Sequence, residues 1–218
     1  MKSSALSAVI FDFGGVLGLP QDPAREAAMA ALCAAPTVTD FRAHYWPGRL
    51  DMDRGILSIE EYWCGVLRAF GVPPTPELIF RINREDLLGW TRVNQKMVDW
   101  SRELRSAGYR TAILSNMSPD RHSFMNTSGR FSWVDEFDVV VYSYWLARVK
   151  PEAEIYRVCL EKLAVPPAEC LFLDDLAVNV TEARALGINA HLFTSADDAA
   201  AELTLTWNLP VRSLMGAA

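Results

Sequence analysis

The chain has 218 residues, half of them apolar, with a formal net charge of −6, three histidines and four cysteines. The apolar content excludes disorder for the bulk of it, and the acidic balance without a basic stripe argues against nucleic-acid binding. No apolar run is long enough to span a membrane, and Cys33, Cys64, Cys159 and Cys170 lack ligand spacing, so they read as reduced core residues of a cytoplasmic protein.

The first element is the run Ala8 to Phe11, four apolar residues that fit a strand buried on both faces of a parallel sheet. Asp12 follows it directly, then Gly14-Gly15, a pair that allows a sharp turn with backbone groups facing a ligand. Asp22-Pro23 starts a helix over the Ala-rich segment that stops near Pro36. Phe41 to Leu50 reads as irregular and rich in polar-tipped side chains, among them His44, Tyr45, Trp46 and Arg49. Ser58 and Glu61 make a capping box, followed by the helical stripe Ile59, Tyr62, Trp63, Val66, Leu67 and Phe70. Thr75-Pro76-Glu77 opens another helix, so residues 20–89 hold helices and no convincing strand.

The period changes near residue 91. Val93, Met97, Trp100 and Leu104 mark a helix, Thr111 to Leu114 a strand, and Ser118-Pro119 the next helix start. Asp138 to Val141 is a strand, Pro151 to Leu163 a helix, Cys170 to Leu173 a strand, and the helix after Asp174-Asp175 runs to Gly187. Ala190 to Phe193 is a last strand of the series, and Leu203 to Leu205 is expected as an added edge strand. Alternation of this kind implies βα units. The expected architecture is α/β, a doubly wound, Rossmann-like parallel sheet formed by residues 1–17 and 90–218, with an all-helical cap inserted at 18–89.

In such a sheet every strand ends along one edge, where ligands bind. That edge collects Asp12, Ser115-Asn116, Lys150 and Asp174-Asp175. Singly, each has a plain explanation: a turn residue, a solvated lysine, a pair of helix caps. Together they supply a nucleophile, groups that grip oxygen, a cation and a carboxylate pair, the requirements of magnesium-dependent phosphoryl transfer.

The four clusters, Asp12 to Leu17, Leu114-Ser115-Asn116, Val149-Lys150-Pro151 and Leu173-Asp174-Asp175, resemble in order the motifs of the haloacid dehalogenase-like hydrolase superfamily. The helical insertion is similar to its smaller cap, in the branch of the amino-terminal phosphatase domain of soluble epoxide hydrolase and of bacterial glucose-1-phosphate phosphatases, and Asn179 fits that branch. The resemblance implies that Asp12 attacks phosphorus to form a phosphoaspartate, and that Mg²⁺ is held by Asp12, Asp175 and the Gly14 carbonyl. It implies that Asp174 directs metal-bound water or Lys150, that Ser115 and the Asn116 amide bind phosphoryl oxygens, that Lys150 offsets charge, and that Asn179 supports the loop.

One departure is Gly14, where the family usually has a second aspartate as general acid and base; such groups are worth about 10² to 10⁴ in rate. The substrate expected is a small phosphorylated metabolite, with a sugar 1-phosphate as one candidate, and with His44 and Arg49 touching its non-phosphate part. The competing reading for these cap residues is surface or cap–core packing. For Trp145 core packing is expected; Tyr144 is read equally as a lining residue or as packing. Two alternatives stand beside the phosphatase: a weak or inactive relative that binds a phosphorylated ligand or a protein partner, and a metal-independent 2-haloacid dehalogenase.

Overall fold

Five parallel strands form one sheet: β1 (Ala8–Phe11), β2 (Arg110–Ser115), β3 (Val139–Tyr142), β4 (Cys170–Asp174) and β5 (Asn189–Leu192), in the spatial order β3-β2-β1-β4-β5. The structure, a computed structural model, describes residues 6–215. Placing β1 at the centre, between β2 and β4, accounts for its lack of polar residues: both of its faces are covered.

The helices of the core are α6 (Gln95–Ser106), α7 (Pro119–Ser128), the single turn α8 (Ser143–Leu146), α9 (Ala153–Leu163), α10 (Ala177–Ala185) and α11 (Ala196–Trp207); those of the insertion are α1 (Pro23–Leu32), α2 (Val38–Tyr45), α3 (Arg49–Asp53), α4 (Ile59–Ala69) and α5 (Pro76–Gly89). Strand side chains alternate between faces. Val9 and Phe11 therefore meet Met97, Trp100 and Leu104 of α6 and Ala199 and Leu203 of α11. Ala8 and Ile10 point the other way, to Ile155, Cys159 and Leu163 of α9 and Val180 and Ala183 of α10.

The insertion has a core of its own, in which Met29, Phe41, Tyr45, Tyr62, Trp63, Leu67 and Ile82 are buried together. The capping box is formed at both of its hydrogen bonds, with Ser58 accepting from Glu61 N–H and Glu61 accepting from Ser58 N–H. The cap leaves and rejoins the sheet domain at one place. Gly18 and Val93 form an isolated antiparallel bridge, Leu19 N–H donates to Arg92 C=O at 2.8 Å, and Asn94 N–H to Leu17 C=O at 2.8 Å.

Two expectations are corrected. The Phe41 to Leu50 stretch is mostly helical, as α2 and the start of α3, with Thr37 accepting from Asp40 N–H as the cap. Leu203 to Leu205 lies inside α11, where Ala196, Ala199, Ala200 and Leu203 form the buried stripe and Leu205 is 87% exposed. The alternating Leu-Thr-Leu-Thr pattern imitates a strand, but the i, i+3, i+4, i+7 spacing upstream of it and the Ser195 cap decide the outcome.

Candidate active site

At the carboxyl edge of the sheet the chain must leave each strand, and β1 does so through a tight turn. Asp12 accepts a hydrogen bond from Phe13 N–H at 2.6 Å, which fixes its carboxylate in the mouth of that turn. Gly15 has φ of +79°, the left-handed region that glycine enters without penalty. A side chain there would also collide with the Asp175 carboxylate, so the glycine lets β1's turn and β4's end approach closely.

Lys150 joins the two ends. Its ammonium lies 2.7 Å from Asp12 Oδ1 and 2.6 Å from Asp174 Oδ2, and the lysine is nearly fully buried. The other oxygen of Asp174 accepts from Leu176 N–H and from Asn179 Nδ2, both at 2.9 Å. Asp174 is thus committed on both oxygens, and Asn179 acts on it directly. Asn116 clamps the Lys150 backbone: Oδ1 accepts from Lys150 N–H at 2.8 Å and Nδ2 donates to Lys150 C=O at 3.1 Å. Its side-chain amide thus holds the Lys150 backbone through Oδ1 and one of its two Nδ2 hydrogens. Ser115 is buried, with its hydroxyl only weakly held, at 3.4 Å from the Asn116 carbonyl.

The electrostatics follow from three carboxylates gathered around one ammonium. Burial pushes the Asp12 carboxyl up to about 7; Lys150 pulls it down, while Asp174 and Asp175 add to the rise. Burial alone would lower the Lys150 ammonium, but Asp12 and Asp174 outweigh it and raise it. Asp175 is also raised, by burial first and by Asp174 second. With all three acids ionised the cluster carries a surplus of two negative charges, which a divalent cation would cancel. Asp12, Asp174 and Asp175 present oxygens within 4.8 Å of one another, an all-oxygen set suited to a hard ion such as Mg²⁺.

Other expected residues lie elsewhere. Arg49 is 3% exposed and belongs to the cap's interior, 2.6 Å from Asp86 and 3.5 Å from Asp53, with Tyr45 accepting a further hydrogen bond from it. Those two carboxylates, unnoticed in the sequence, offset part of the cost of its burial and engage it inside the cap. His44 is exposed and sits edge-on to Phe70 on the cap. Tyr45 is buried, Trp46 about half exposed. Trp145, expected in the core, is 48% exposed and lies against Tyr142 and His122. Tyr144 occupies the seam between domains, with its Cβ near Gly55 and its hydroxyl 2.6 Å from His122 Nδ1.

Two residues near the site escaped the sequence reading. Trp90, at the end of α5, puts its ring edge where a side chain at Gly14 would stand, with Cζ3 at 3.3 Å from that Cβ position. Arg121, in the first turn of α7, is 6% exposed and lies over the Trp90 ring at 4.6 Å. The available signal was position: Arg121 falls three residues after the Ser118 cap, in a turn that starts immediately beyond Ser115-Asn116.

A parallel sheet with helices on both faces, a lysine-bridged acidic cluster at its carboxyl edge and a helical insertion after the first strand define a Rossmann-like α/β core carrying a helical cap. Residues 6–187 match the family described as haloacid dehalogenase-like hydrolase, and the chain belongs to that family. It is 29% identical over 208 residues to D-ribitol-5-phosphate phosphatase of Bacteroides thetaiotaomicron, covering 92% of this chain and 98% of that protein. It is 25% identical over 212 residues to bifunctional epoxide hydrolase 2 of Sus scrofa, covering 91% of this chain but only 38% of that longer protein. A crystal structure of a variant of a family enzyme from Bacteroides thetaiotaomicron, in complex with magnesium and inorganic phosphate, superposes with a TM-score of 0.71 at 21% identity, over 87% of this chain and 95% of that one.

Proposed function

We propose that this protein is a Mg²⁺-dependent phosphomonoester hydrolase that acts on a small phosphorylated metabolite through an aspartyl-phosphate at Asp12. The observation that carries the reading is the Asp12–Lys150–Asp174 bridge with Asp175 beside it: a buried carboxylate positioned as nucleophile, in a cluster that carries two excess negative charges once all three acids are ionised. Asp12, Asp175 and the Gly14 carbonyl would hold the ion, which when bound would neutralise negative charge on the phosphoryl group and its nucleophile.

The chain's own residues account for the remainder. An Asp12 oxygen forms a bond to phosphorus as the bond to the leaving oxygen breaks, and water then attacks the phosphoaspartate to release phosphate and restore the carboxylate. Ser115 and the Asn116 N–H hold equatorial oxygens, while Lys150 keeps Asp12 oriented and offsets its charge. Asn179 and the Leu176 N–H fix Asp174, and Asp174 in turn fixes Lys150. With glycine at position 14, no carboxylic acid stands ready there to protonate the leaving oxygen. A sugar 1-phosphate, an acyl phosphate or an aryl phosphate suits such a site better than a simple alkyl ester, because its leaving group departs more easily. Among the described residues no helix is long and apolar enough to cross a membrane, and four free cysteines support a reducing, cytoplasmic setting.

The test is phosphate release from a panel of sugar, acyl and aryl phosphates with and without Mg²⁺, run beside chloride release from 2-chloropropionate. Mg²⁺-dependent phosphate release that disappears in Asp12→Asn supports the reading. Chloride release without metal would transfer it to dehalogenation, and neither product would leave a ligand-binding relative.

A further inference from the structure

Between cap and core lies a group of buried charges that the reaction at Asp12 does not use. Arg49, Asp53 and Asp86 come from the cap, Arg121 from the core, and all four are less than one-tenth exposed. Asp86 accepts from Arg49 on one oxygen and from Tyr45 and Gln21 on the other. Asp53 also faces Arg49. Both carboxylates are thus engaged by the same guanidinium. Among the described residues no carboxylate lies within ion-pairing distance of Arg121, and its Nε is sealed from solvent with no hydrogen-bond partner.

A buried guanidinium in that condition is costly unless something completes it. The Trp90 face lies against it at 4.6 Å, and Asp86 and Asp53 attract it from beyond ion-pairing distance. Trp90 in turn has a sealed, unpartnered indole N–H, and its ring edge stands against Gly14, two residues from the nucleophile. The indole thus stands between the turn that carries the nucleophile and Arg121, with its edge toward Gly14 and its face toward the cation. Burial and the like charge of Arg49 both press the Arg121 guanidinium toward losing its proton, more strongly than Asp86 and Asp53 oppose it. A bound anion would reverse that balance.

We infer that Trp90 and Arg121 form the subsite for the leaving group, and that the substrate carries a second anionic group, a carboxylate or a further phosphate, beside the phosphate that is cleaved. The inference rests on the phosphatase reading of Asp12. Trp90 occupies the space that a side chain at position 14 would fill and offers an apolar surface to the carbon part of the substrate. Arg121 binds the second anion through its terminal nitrogens, a charge-assisted interaction of the kind that discriminates strongly against a neutral analogue.

The test uses three non-hydrolysable ligands that differ only at the meta position: benzylphosphonates bearing a carboxylate, a carbamoyl group or a phosphonomethyl group. Binding to the Mg²⁺-loaded protein is measured by calorimetry. The anionic ligands are expected to bind about tenfold or more tightly than the carbamoyl one, and the better of the two identifies the second group. In Arg121→Gln the advantage should fall to within about twofold; Arg121→Lys should keep part of it. Equal binding of all three ligands by the unaltered protein overturns the inference, and this comparison does not depend on any variant folding. So does an advantage that survives in a folded Arg121→Gln. Phenyl phosphate hydrolysis, followed in parallel, separates the two ideas. Charge selectivity without hydrolysis removes the phosphatase and leaves the subsite; hydrolysis without selectivity does the reverse.

Discussion

Lys150 and Asp12 set the chemistry of the site through a balance of buried charges, and that balance titrates. Because the Asp12 carboxyl is raised to about 7, the metal-free folded protein holds its proton between about pH 4 and pH 7, where the unfolded chain has lost it. The folded state then binds more protons, so this group's contribution to stability falls as pH rises through that window. Metal-free Asp12→Asn is accordingly expected to melt a few degrees above the unaltered protein at pH 8 and to lose that margin near pH 4, as differential scanning calorimetry would show. Proton and cation compete for the same oxygens. Mg²⁺ affinity should weaken by up to about tenfold for each pH unit below 7, which calorimetric titration would detect. Turnover in Asp12→Asn should fall by about 10³-fold or more. Lys150→Ala removes the only ammonium between two buried carboxylates. It is expected to cost about 3–5 kcal/mol in metal-free protein, with part of the loss recovered in Mg²⁺, measured by denaturant unfolding at both conditions.

At the scale of elements, the turn after β1 and the end of α5 are fitted to each other. Gly14 has ordinary extended dihedral angles, so its backbone would accept a side chain, but the Trp90 ring lies 3.3 Å from the Cβ position. Reintroducing an acid by Gly14→Asp should therefore lower stability and fail to speed turnover. The same change with Trp90→Ala should recover folding and hydrolyse poor leaving groups faster than Trp90→Ala alone, in single-turnover assays. This coupling was invisible in the sequence because 76 positions separate the two residues. The sheet, by contrast, could be read from its strands. Ala8 to Phe11 and Cys170 to Leu173 are uniformly apolar because both faces are covered, and the polar residues that end them had no other reason to cluster. The cap was harder to read. In α2 only Phe41 and Tyr45 are buried, too few to mark a stripe, and the partners that bring Arg49 inside lie on other parts of the fold.

Across the whole molecule, cap and core meet through specific polar contacts in addition to packing. Asn83 donates to Asp120 at 2.7 Å, Arg54 pairs with Glu152, and Ser143 donates to the Asp53 carbonyl while accepting from Met117 N–H. The Arg54–Glu152 pair is partly exposed, and such pairs contribute little to stability, about 1 kcal/mol or less. Arg54→Gln should leave the melting temperature nearly unchanged. If closure of the cap governs substrate retention, it should raise KM severalfold more than it lowers kcat. An unchanged KM would assign the pair to surface solvation.

The bridge between Gly18 and Val93 has a topological consequence. The two ends of the cap are paired side by side, so the helical unit is strung on the sheet domain like a bead on a closed loop, and the gap between Leu17 and Asn94 is already spanned by a 2.8 Å hydrogen bond. Excising residues 19–92 and splicing the ends through a short glycine turn would leave β1 adjoining α6 in its present position. The trimmed chain should still form its five-stranded sheet, with Mg²⁺ bound at the open edge, because none of the three acids is contributed by the excised bead. Circular dichroism and metal titration of that chain would test whether lineages of this architecture could exchange caps as interchangeable parts.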